Sequence, residues 1–261
     1  LDNGDLKCWG WDLWGALGDG GTTHDADTYT TAPSSTPIDL GAGRTAVAIS
    51  GSGNHTCVIL EDGDLTCWGS DNLGQIGDGG TVPQQWPHNS GDYLSEPSDP
   101  IDLGTGRTAV AVALGAYFTC AILDDGSVSC WGRNTNGQVG DGNSGSDVNI
   151  PTQTSSFGAG KIAVGLTTGQ LHTCAVIVSE DDSNAYHGTT SFCWGQNTWG
   201  QLGDGTTTDR LTPTQTNSGL YATSIATGEH HTCSILNDGS VNCWGDGLNG
   251  QIGDYSNDDR Y

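Results

Sequence analysis

Eight of the nine cysteines form four pairs with short spacings, and a histidine stands two residues before three of the pairs. Cysteine and histidine are the usual ligands of structural zinc, but two nearby thiols can instead form a disulfide. In the second pair Phe118 replaces the histidine although both cysteines remain. Two thiolates and one imidazole also fall short of a closed tetrahedral site. The pattern therefore favours disulfides over zinc, joining Cys57 to Cys67, Cys120 to Cys130, Cys174 to Cys193, and Cys233 to Cys243.

The residues between the paired cysteines are typical of a β-hairpin. Cys120–Leu123 and Ser127–Cys130 are separated by three residues that end in Gly126. A three-residue hairpin loop favours glycine last, because that residue adopts a left-handed conformation. The loop places Cys120 directly opposite Cys130, with about 4.5 Å between Cα atoms, and a disulfide accepts this distance. Disulfides persist outside a reducing cytosol, so we expect an extracellular or cell-surface protein.

Two cysteine positions depart from this regular spacing. Cys174 and Cys193 enclose a longer, polar turn around residues 179–190. An insertion at a loop tip costs little, so this pair is still expected to close. Cys8 has no partner at the corresponding distance. We therefore expect the chain to be part of a longer protein.

The tripeptide Cys-Trp-Gly occurs five times and marks an internal repeat of about 59 residues. Each copy precedes a Gly-Gln-aliphatic-Gly-Asp run, which the first copy varies to Gly-Ala-Leu-Gly-Asp. Short apolar runs bounded by turn residues predict strands throughout. The repeat divides the single domain, residues 1–261, into a partial unit at 1–39 and units at about 40–102, 103–157, 158–218 and 219–261, of which the last is incomplete.

The combined motif His-Thr-Cys-x-Ile-Leu-x-Asp-Gly, then Cys-Trp-Gly, then Gly-Gln-aliphatic-Gly-Asp resembles the repeat of the RCC1 (regulator of chromosome condensation) family. It is most similar to the cysteine-bearing version in secreted or surface proteins of bacteria and archaea. The resemblance implies an all-β fold, a β-propeller with commonly about seven blades of four antiparallel strands. The sequence holds about four and a half such units.

Residues that recur in every unit are interpreted as architecture. An indole buries a large apolar area with one donor to satisfy, so we expect the repeated tryptophans in the core between blades. These are Trp9, Trp68, Trp131, Trp194 and Trp244. The histidines of the His-Thr-Cys step could act as catalytic bases, but no consistent nucleophile and orienting carboxylate accompany them. We predict a protein that is not an enzyme and has no catalytic residues.

Aromatic residues that do not recur are the candidates for a ligand or partner surface. The positions are Trp11, Trp14, Trp86, Tyr93 and Trp199, near turns or in the long connectors 20–38 and 80–101. Exposed tryptophan often marks recognition surfaces, and long loops on a rigid scaffold often carry specificity. Local packing and simple spacing are alternative explanations.

Several aspartate-rich turns space oxygen ligands as calcium loops do. Examples are residues 141–147, Asp25 with Asp27, and Asp204 with Asp209. None has the final bidentate glutamate of an EF-hand, so solvated Asx turns are favoured. No metal and no cofactor is predicted.

The charge excludes some classes of partner. Lys and Arg total 7 against 31 Asp and Glu, a formal net charge of −24. Such a surface repels phosphate, so nucleic acid and anionic membranes are excluded, and no apolar run is long enough for membrane insertion.

The predicted function is recognition, adhesion or structure at the cell surface, in a module whose partner is a protein or a glycan, with self-assembly as a further option. One alternative is a secreted inhibitor of a hydrolase that acts through loops on a propeller face. The resemblance also implies a less favoured alternative, guanine-nucleotide exchange, which the cysteines and the charge fit poorly.

Overall fold

The chain forms a succession of antiparallel sheets, and this computed structural model describes residues 1, 4–21, 29–80, 93–179 and 189–261. Blade 1 contains β1 (Gly10–Trp11), a short 3-10 helix (Leu13–Gly15) and β2 (Tyr29–Thr30). Blade 2 contains β3 (Ala46–Gly51), β4 (His55–Leu60), β5 (Leu65–Ser70) and β6 (Tyr93–Leu94). Blade 3 contains β7 (Ala109–Leu114), β8 (Phe118–Leu123), β9 (Val128–Gly132) and β10 (Val148–Gln153). Blade 4 contains β11 (Lys161–Thr168), β12 (His172–Ser179), β13 (Thr190–Gly195) and β14 (Arg210–Leu220), and blade 5 contains β15 (Ala222–Thr227), β16 (His231–Leu236) and β17 (Val241–Gly245).

The sheets pack side by side as blades of a β-propeller, which confirms the predicted fold class. In blades 2, 3 and 4 the four strands lie in chain order, each antiparallel to the next. Blade 5 has three strands, with an isolated bridge from Gly245 to Arg260. The first strands of blades 2 to 5 contact one another in turn, so they form the inner side of the arc. In the described part of the chain no helix is long and apolar enough to cross a membrane.

The central hairpins of blades 2, 3 and 5 have the register that their three-residue loops predict, and the blade 4 pair closes across its longer turn as expected. Cys120 lies opposite Cys130, and the other three pairs are matched in the same way. All four disulfides are formed, with 4.1 Å between Cα atoms. Gly126 closes its turn at φ 75°, and a Cβ there would lie 2.5 Å from the Cβ of Ile162. Cys8 is a free, half-buried cysteine, and burial raises the pKa of its thiol.

Removing a hairpin disulfide should lower stability by an amount set by the loop it closes. For Cys120→Ala with Cys130→Ala we expect the free energy of unfolding to fall by about 2.7 kcal/mol, from chain entropy alone. The larger loop between Cys174 and Cys193 predicts about 3.2 kcal/mol. Urea denaturation measures both losses, and Cys8→Ala is the control, with a loss below about 1 kcal/mol. A loss no larger than that of the control would contradict the assignment of a structural role to the bridges.

Neighbouring blades interlock through the two repeated motifs. The Nε1–H of Trp131 donates to the carbonyl oxygen of Gln75, in the Gly-Gln-Ile-Gly run of the preceding blade, at 3.0 Å. Trp68, Trp194 and Trp244 make the same bond to the preceding unit at 2.9–3.0 Å. A Cβ on Gly77 would lie 2.4 Å from Nε1 of Trp131, so only glycine lets the run approach the indole. The tryptophan of each blade is therefore held by the glycine-containing run of the preceding unit.

Trp9 does not share this environment, and the prediction that all five repeated tryptophans are core residues was wrong for it. Its exposed fraction is 56 %, whereas the other four are at most 2 % exposed. Each buried indole is covered by the Gly-x-x-Gly run of the preceding unit. No such run precedes Trp9 within the sequence. Trp9 has no such cover in the structure, so its indole is exposed.

Candidate recognition site

One end of the propeller collects two sets of short loops, which together we call the loop face. The inner set joins the first and second strands of blades 2 to 5, at residues 52–54, 115–117, 169–171 and 228–230. The outer set follows the third strands, at residues 71–74, 133–137, 196–200 and 246–250. Both sets lie at the same end because antiparallel strands reverse direction at each step. Side chains on this face can differ between units without disturbing the blades.

Among the described residues, two histidines are fully buried beneath the loop face, and their role is structural. Nε2 of His55 lies 2.8 Å from Oγ1 of Thr119, and Nε2 of His172 lies 3.0 Å from Oγ1 of Thr232. Both side chains are fully buried, and burial lowers the pKa of each imidazole to about 3. A neutral imidazole that is closed to solvent and bonded to the next blade cannot reach a substrate. Their contacts hold adjacent blades together.

The outer loops are held rigidly by their own polar side chains. Oδ1 of Asn197 accepts a hydrogen bond from the backbone N–H of Leu202 at 3.0 Å, and Oε1 of Gln201 accepts one from Trp199 at 2.9 Å. Asn134 and Gln138 repeat both bonds in blade 3. Backbone groups of these turns are therefore satisfied internally. The side chains that project from the turns are presented in fixed positions.

Trp199 and His230 form an aromatic platform across the junction of blades 4 and 5. Their ring centroids lie 6.3 Å apart, with the planes tilted by 36°. The carboxylate of Glu229 lies 3.7 Å from Nε2 of His230 and accepts a 2.8 Å hydrogen bond from the side-chain amide of Gln170. The platform therefore combines ring surface with a carboxylate that is two-thirds exposed. Such an arrangement suits recognition of a surface with apolar and donor groups.

A second non-repeating pair lies on blade 3. The guanidinium of Arg133 sits 6.0 Å from the ring centroid of Tyr117, at cation–π distance, and its Nε–H donates to Oγ1 of Thr135 at 3.0 Å. The inner loops connect this pair to the platform, because the backbone N–H of Ala116 donates to Gln170 and that of Gln170 donates to the next blade. Sequence reasoning missed Tyr117, Arg133 and the residues beside Trp199. The sequence signal for these residues is that their positions carry different residue types in different units, whereas the surrounding positions recur.

The predicted aromatic candidates occupy different blades. Trp11 is about half exposed on β1, and Trp14 takes a left-handed conformation at φ 66° in the 3-10 helix that contacts β6. Tyr93 begins β6, so the structure places it on the element next to that of Trp14. Trp199 lies three blades further along the chain. Trp86 lies outside the described residues. The four described residues thus lie on three blades, with Trp11 and Trp14 on blade 1, Tyr93 on blade 2 and Trp199 on blade 4.

The aspartate-rich turns are held by protein groups. Oδ1 of Asp141 accepts a hydrogen bond from a backbone N–H two residues later, as an Asx turn does. Asp204 pairs with Arg210, and hydrogen bonds and this cation lower the pKa of Asp204 against the opposing effect of burial. Asp25 and Asp27 lie outside the described residues. Across the ranges that the structure describes, no three His, Cys, Asp or Glu side chains converge closely enough to hold a metal ion.

Comparison with known families settles the origin of the repeat. Two models described as "Regulator of chromosome condensation (RCC1) repeat" match, one at residues 46–75, 109–138 and 222–251, the other at 125–176 and 191–235. Together they cover more than half of the chain. The chain belongs to the RCC1-repeat family. This result confirms the resemblance that the Cys-Trp-Gly and Gly-Gln motifs carry.

Relatives among characterised RCC1-repeat proteins have varied roles. The ultraviolet-B receptor UVR8 of Arabidopsis thaliana is 30 % identical over 245 residues, which are 92 % of this chain and 49 % of the receptor. The human E3 ubiquitin-protein ligase HERC2 is 29 % identical over 88 % of this chain but only 4 % of its own length. Protein pim1 of Schizosaccharomyces pombe is 29 % identical over 63 % of this chain and 30 % of its own. The chain thus spans half or less of these relatives.

Solved structures share the propeller at lower identity. Yeast RCC1 (Prp20), in a complex with Kap60, has a TM-score of 0.73 and 21 % identity, covering 95 % of this chain and 54 % of the yeast chain. Human WBSCR16 has a TM-score of 0.76 and 22 % identity, covering 97 % and 61 %. These RCC1-type neighbours show the fold. A scaffold of this kind is consistent with a binding or recognition role.

Proposed function

We propose that this RCC1-repeat protein is a non-enzymatic recognition module that acts outside the cell and binds a protein partner through its loop face. The observation that carries the proposal is the platform of Trp199 and His230. It is built from two side chains that the repeat does not require, on two different blades. Rigid aromatic and basic groups on fixed turns are typical of the residues that dominate binding energy.

The extracellular location is supported by the cysteines. Four hairpins each carry a disulfide, and every bonded cysteine in blades 2 to 4 is fully buried. Bonds of this kind are stable in an oxidising compartment and rare in a reducing one. The acidic surface supports solubility after export. Adhesion and inhibition of a hydrolase are finer versions of the same binding role, which differ in the identity of the partner.

The test is capture of a partner followed by substitution on the loop face. Immobilised protein is incubated separately with extracellular and cytosolic fractions of source cells, and bound proteins are identified by mass spectrometry. For the partner so found, we expect Trp199→Ala to weaken binding by roughly tenfold or more, as for a central aromatic contact. Tyr255→Ala, at an exposed aromatic residue outside the loop face, is the matched control and should change the affinity less than about twofold.

The remaining outcomes separate the alternatives. Inhibition of a captured hydrolase supports the inhibitor version of the proposal. A partner found only in the cytosolic fraction would overturn the extracellular location. Stimulated release of guanine nucleotide from a small GTPase, or equal losses in Trp199→Ala and Tyr255→Ala, would overturn the recognition role of the loop face.

A further inference from the structure

A groove separates blades 2 and 3 on the outer flank of the propeller, away from the centre of the loop face. One wall is the segment 93–105 of blade 2, and the other is formed by β9 and β10 of blade 3. The groove encloses about 1290 Å³, against about 420 Å³ between blades 1 and 2. We call it the flank groove. Its volume is about three times that of the groove between blades 1 and 2, so the repeat alone does not set it.

Ser129 distinguishes this groove from the corresponding positions in the neighbouring blades. The corresponding residue in blade 2, Thr66, donates a 2.7 Å hydrogen bond to the carbonyl oxygen of Ser98 and closes onto its own connector. The corresponding residue in blade 4, Phe192, packs edge-on against Phe157 with 5.6 Å between ring centroids. Ser129 is smaller, and its hydroxyl makes no hydrogen bond within the described chain.

Its side chain is only 5 % exposed and lines the flank groove. The hydroxyl lines the groove and can therefore donate to, or accept from, the backbone of a ligand that lies there.

The rim of the flank groove carries uncompensated negative charge. Four exposed carboxylates line it without an ion pair among the described residues, and they are Asp78, Glu96, Asp99 and Asp102. Arg107 is the one cation in the lining, and it already pairs with Asp124 and Asp125. The other six cationic side chains of the protein lie elsewhere. A concave surface of one sign concentrates the field and attracts the opposite charge.

The distribution of these carboxylates selects the kind of ligand. They are spread along the groove, and no three acidic side chains in the described ranges converge as metal ligands do. A compact cation therefore has no site here, whereas an extended chain with several positive charges can meet them in turn. Apolar lining from Leu94, Ile150 and Pro151 suits the aliphatic stems of lysine and arginine.

We propose that the flank groove binds an extended, lysine- or arginine-rich segment of a partner protein. The ammonium or guanidinium groups of the segment meet the rim carboxylates, and its backbone bonds the hydroxyl of Ser129 on the groove wall. This site is independent of the loop face and adds a second interaction surface to the protein.

The test uses a fluorescein-labelled octapeptide of alternating lysine and serine, with binding measured by anisotropy in 150 mM NaCl. Replacing Asp99 and Asp102 together by asparagine should weaken binding roughly fivefold, because two exposed ion pairs are lost. The matched control is Asp238→Asn with Asp246→Asn, which removes the same charge elsewhere and should change the affinity less than about twofold. Trp199→Ala should leave the affinity unchanged.

A second set of variants fills part of the groove with a larger side chain and leaves its charge unchanged. Ser129→Phe introduces the residue of blade 4 and should weaken peptide binding roughly tenfold. Ser129→Thr introduces the residue of blade 2 and is the smaller substitution to use if the phenylalanine variant does not fold. Peptide binding that is absent in the wild-type protein, unaffected by both Ser129 variants, or weakened equally by the two aspartate pairs would overturn the proposal. Equal weakening would show attraction to the acidic surface as a whole.

Discussion

Replacing Trp194 by alanine is expected to lower the free energy of unfolding by about 3–5 kcal/mol, near the limit for a single core residue. The indole is fully buried, is bonded to the carbonyl oxygen of Gln138 at 2.9 Å, and lies 6.1 Å from the ring of Phe157. The substitution leaves a cavity between blades 3 and 4 and a buried carbonyl without its donor. Equilibrium denaturation in urea measures the loss.

The chain contains its own control for this result. Trp9 stands in the same Cys-Trp-Gly tripeptide but is 56 % exposed, so Trp9→Ala should cost less than about 0.5 kcal/mol. Trp194→Phe keeps much of the ring and loses the hydrogen bond, so its effect should fall between the two. Similar losses for Trp9→Ala and Trp194→Ala would show that the blade junction is not what stabilises the fold.

The fold could be predicted from the sequence because the tryptophans and glycines that join consecutive blades belong to motifs that recur in every unit. Cys-Trp-Gly and the Gly-x-aliphatic-Gly-Asp run are the two halves of one contact, and both recur from unit to unit, with Ala16 in place of glutamine in the first. The hairpin register followed from loop length and from the left-handed glycine, and it paired the cysteines correctly. Trp9 departed from the prediction because burial at this position depends on a neighbouring unit, which the tripeptide itself does not reveal.

The candidate site was predicted only in part, for a different reason. Trp199 stood out as a residue that the repeat does not require, but its partner His230 comes from the next blade, 31 residues later. Which variable residues meet depends on how two blades are placed beside each other, and the repeat alone does not specify that. Ser129 shows the same limit, because its small size is visible in the sequence whereas the groove is a property of two blades.

Acidification should destabilise the protein well above the pH at which its carboxylates titrate. The pKa of His55 and that of His172 lie at about 3 in the folded protein, against 6.5 for the unperturbed group, chiefly because burial disfavours the charged form. Below pH 6.5 the unfolded chain binds a proton at each imidazole, and the folded protein does not. Each group therefore removes roughly 3 kcal/mol of stability between pH 6.5 and pH 4, the loss growing as the pH falls.

The variant that tests this is His172→Phe, because blade 3 already carries Phe118 at the same position. Phe118 packs on Gly115, where a Cβ would lie 2.0 Å from the ring, and Gly169 provides the same space beside His172.

Position 55 lacks this space because Ser52 stands in place of the glycine, and its Oγ bonds Nδ1 of His55 at 3.0 Å. At pH 7.5 we expect His172→Phe to change stability by less than about 1 kcal/mol, since Thr232 keeps its bond to the carbonyl oxygen of Gln201.

At pH 4 the variant should be more stable than the wild type by roughly 3 kcal/mol, with the difference opening below pH 6.5. Urea denaturation at half-unit steps from pH 7.5 to pH 4 gives the slope of the free energy of unfolding against pH. From this slope we expect the variant to take up one proton fewer on unfolding than the wild type does. Trp194→Phe is the control, because it changes no titratable group and its stability curve should run parallel to that of the wild type. Parallel curves for the wild type and His172→Phe would show that the buried imidazole is already protonated in the folded blade, and the role assigned to burial would be wrong.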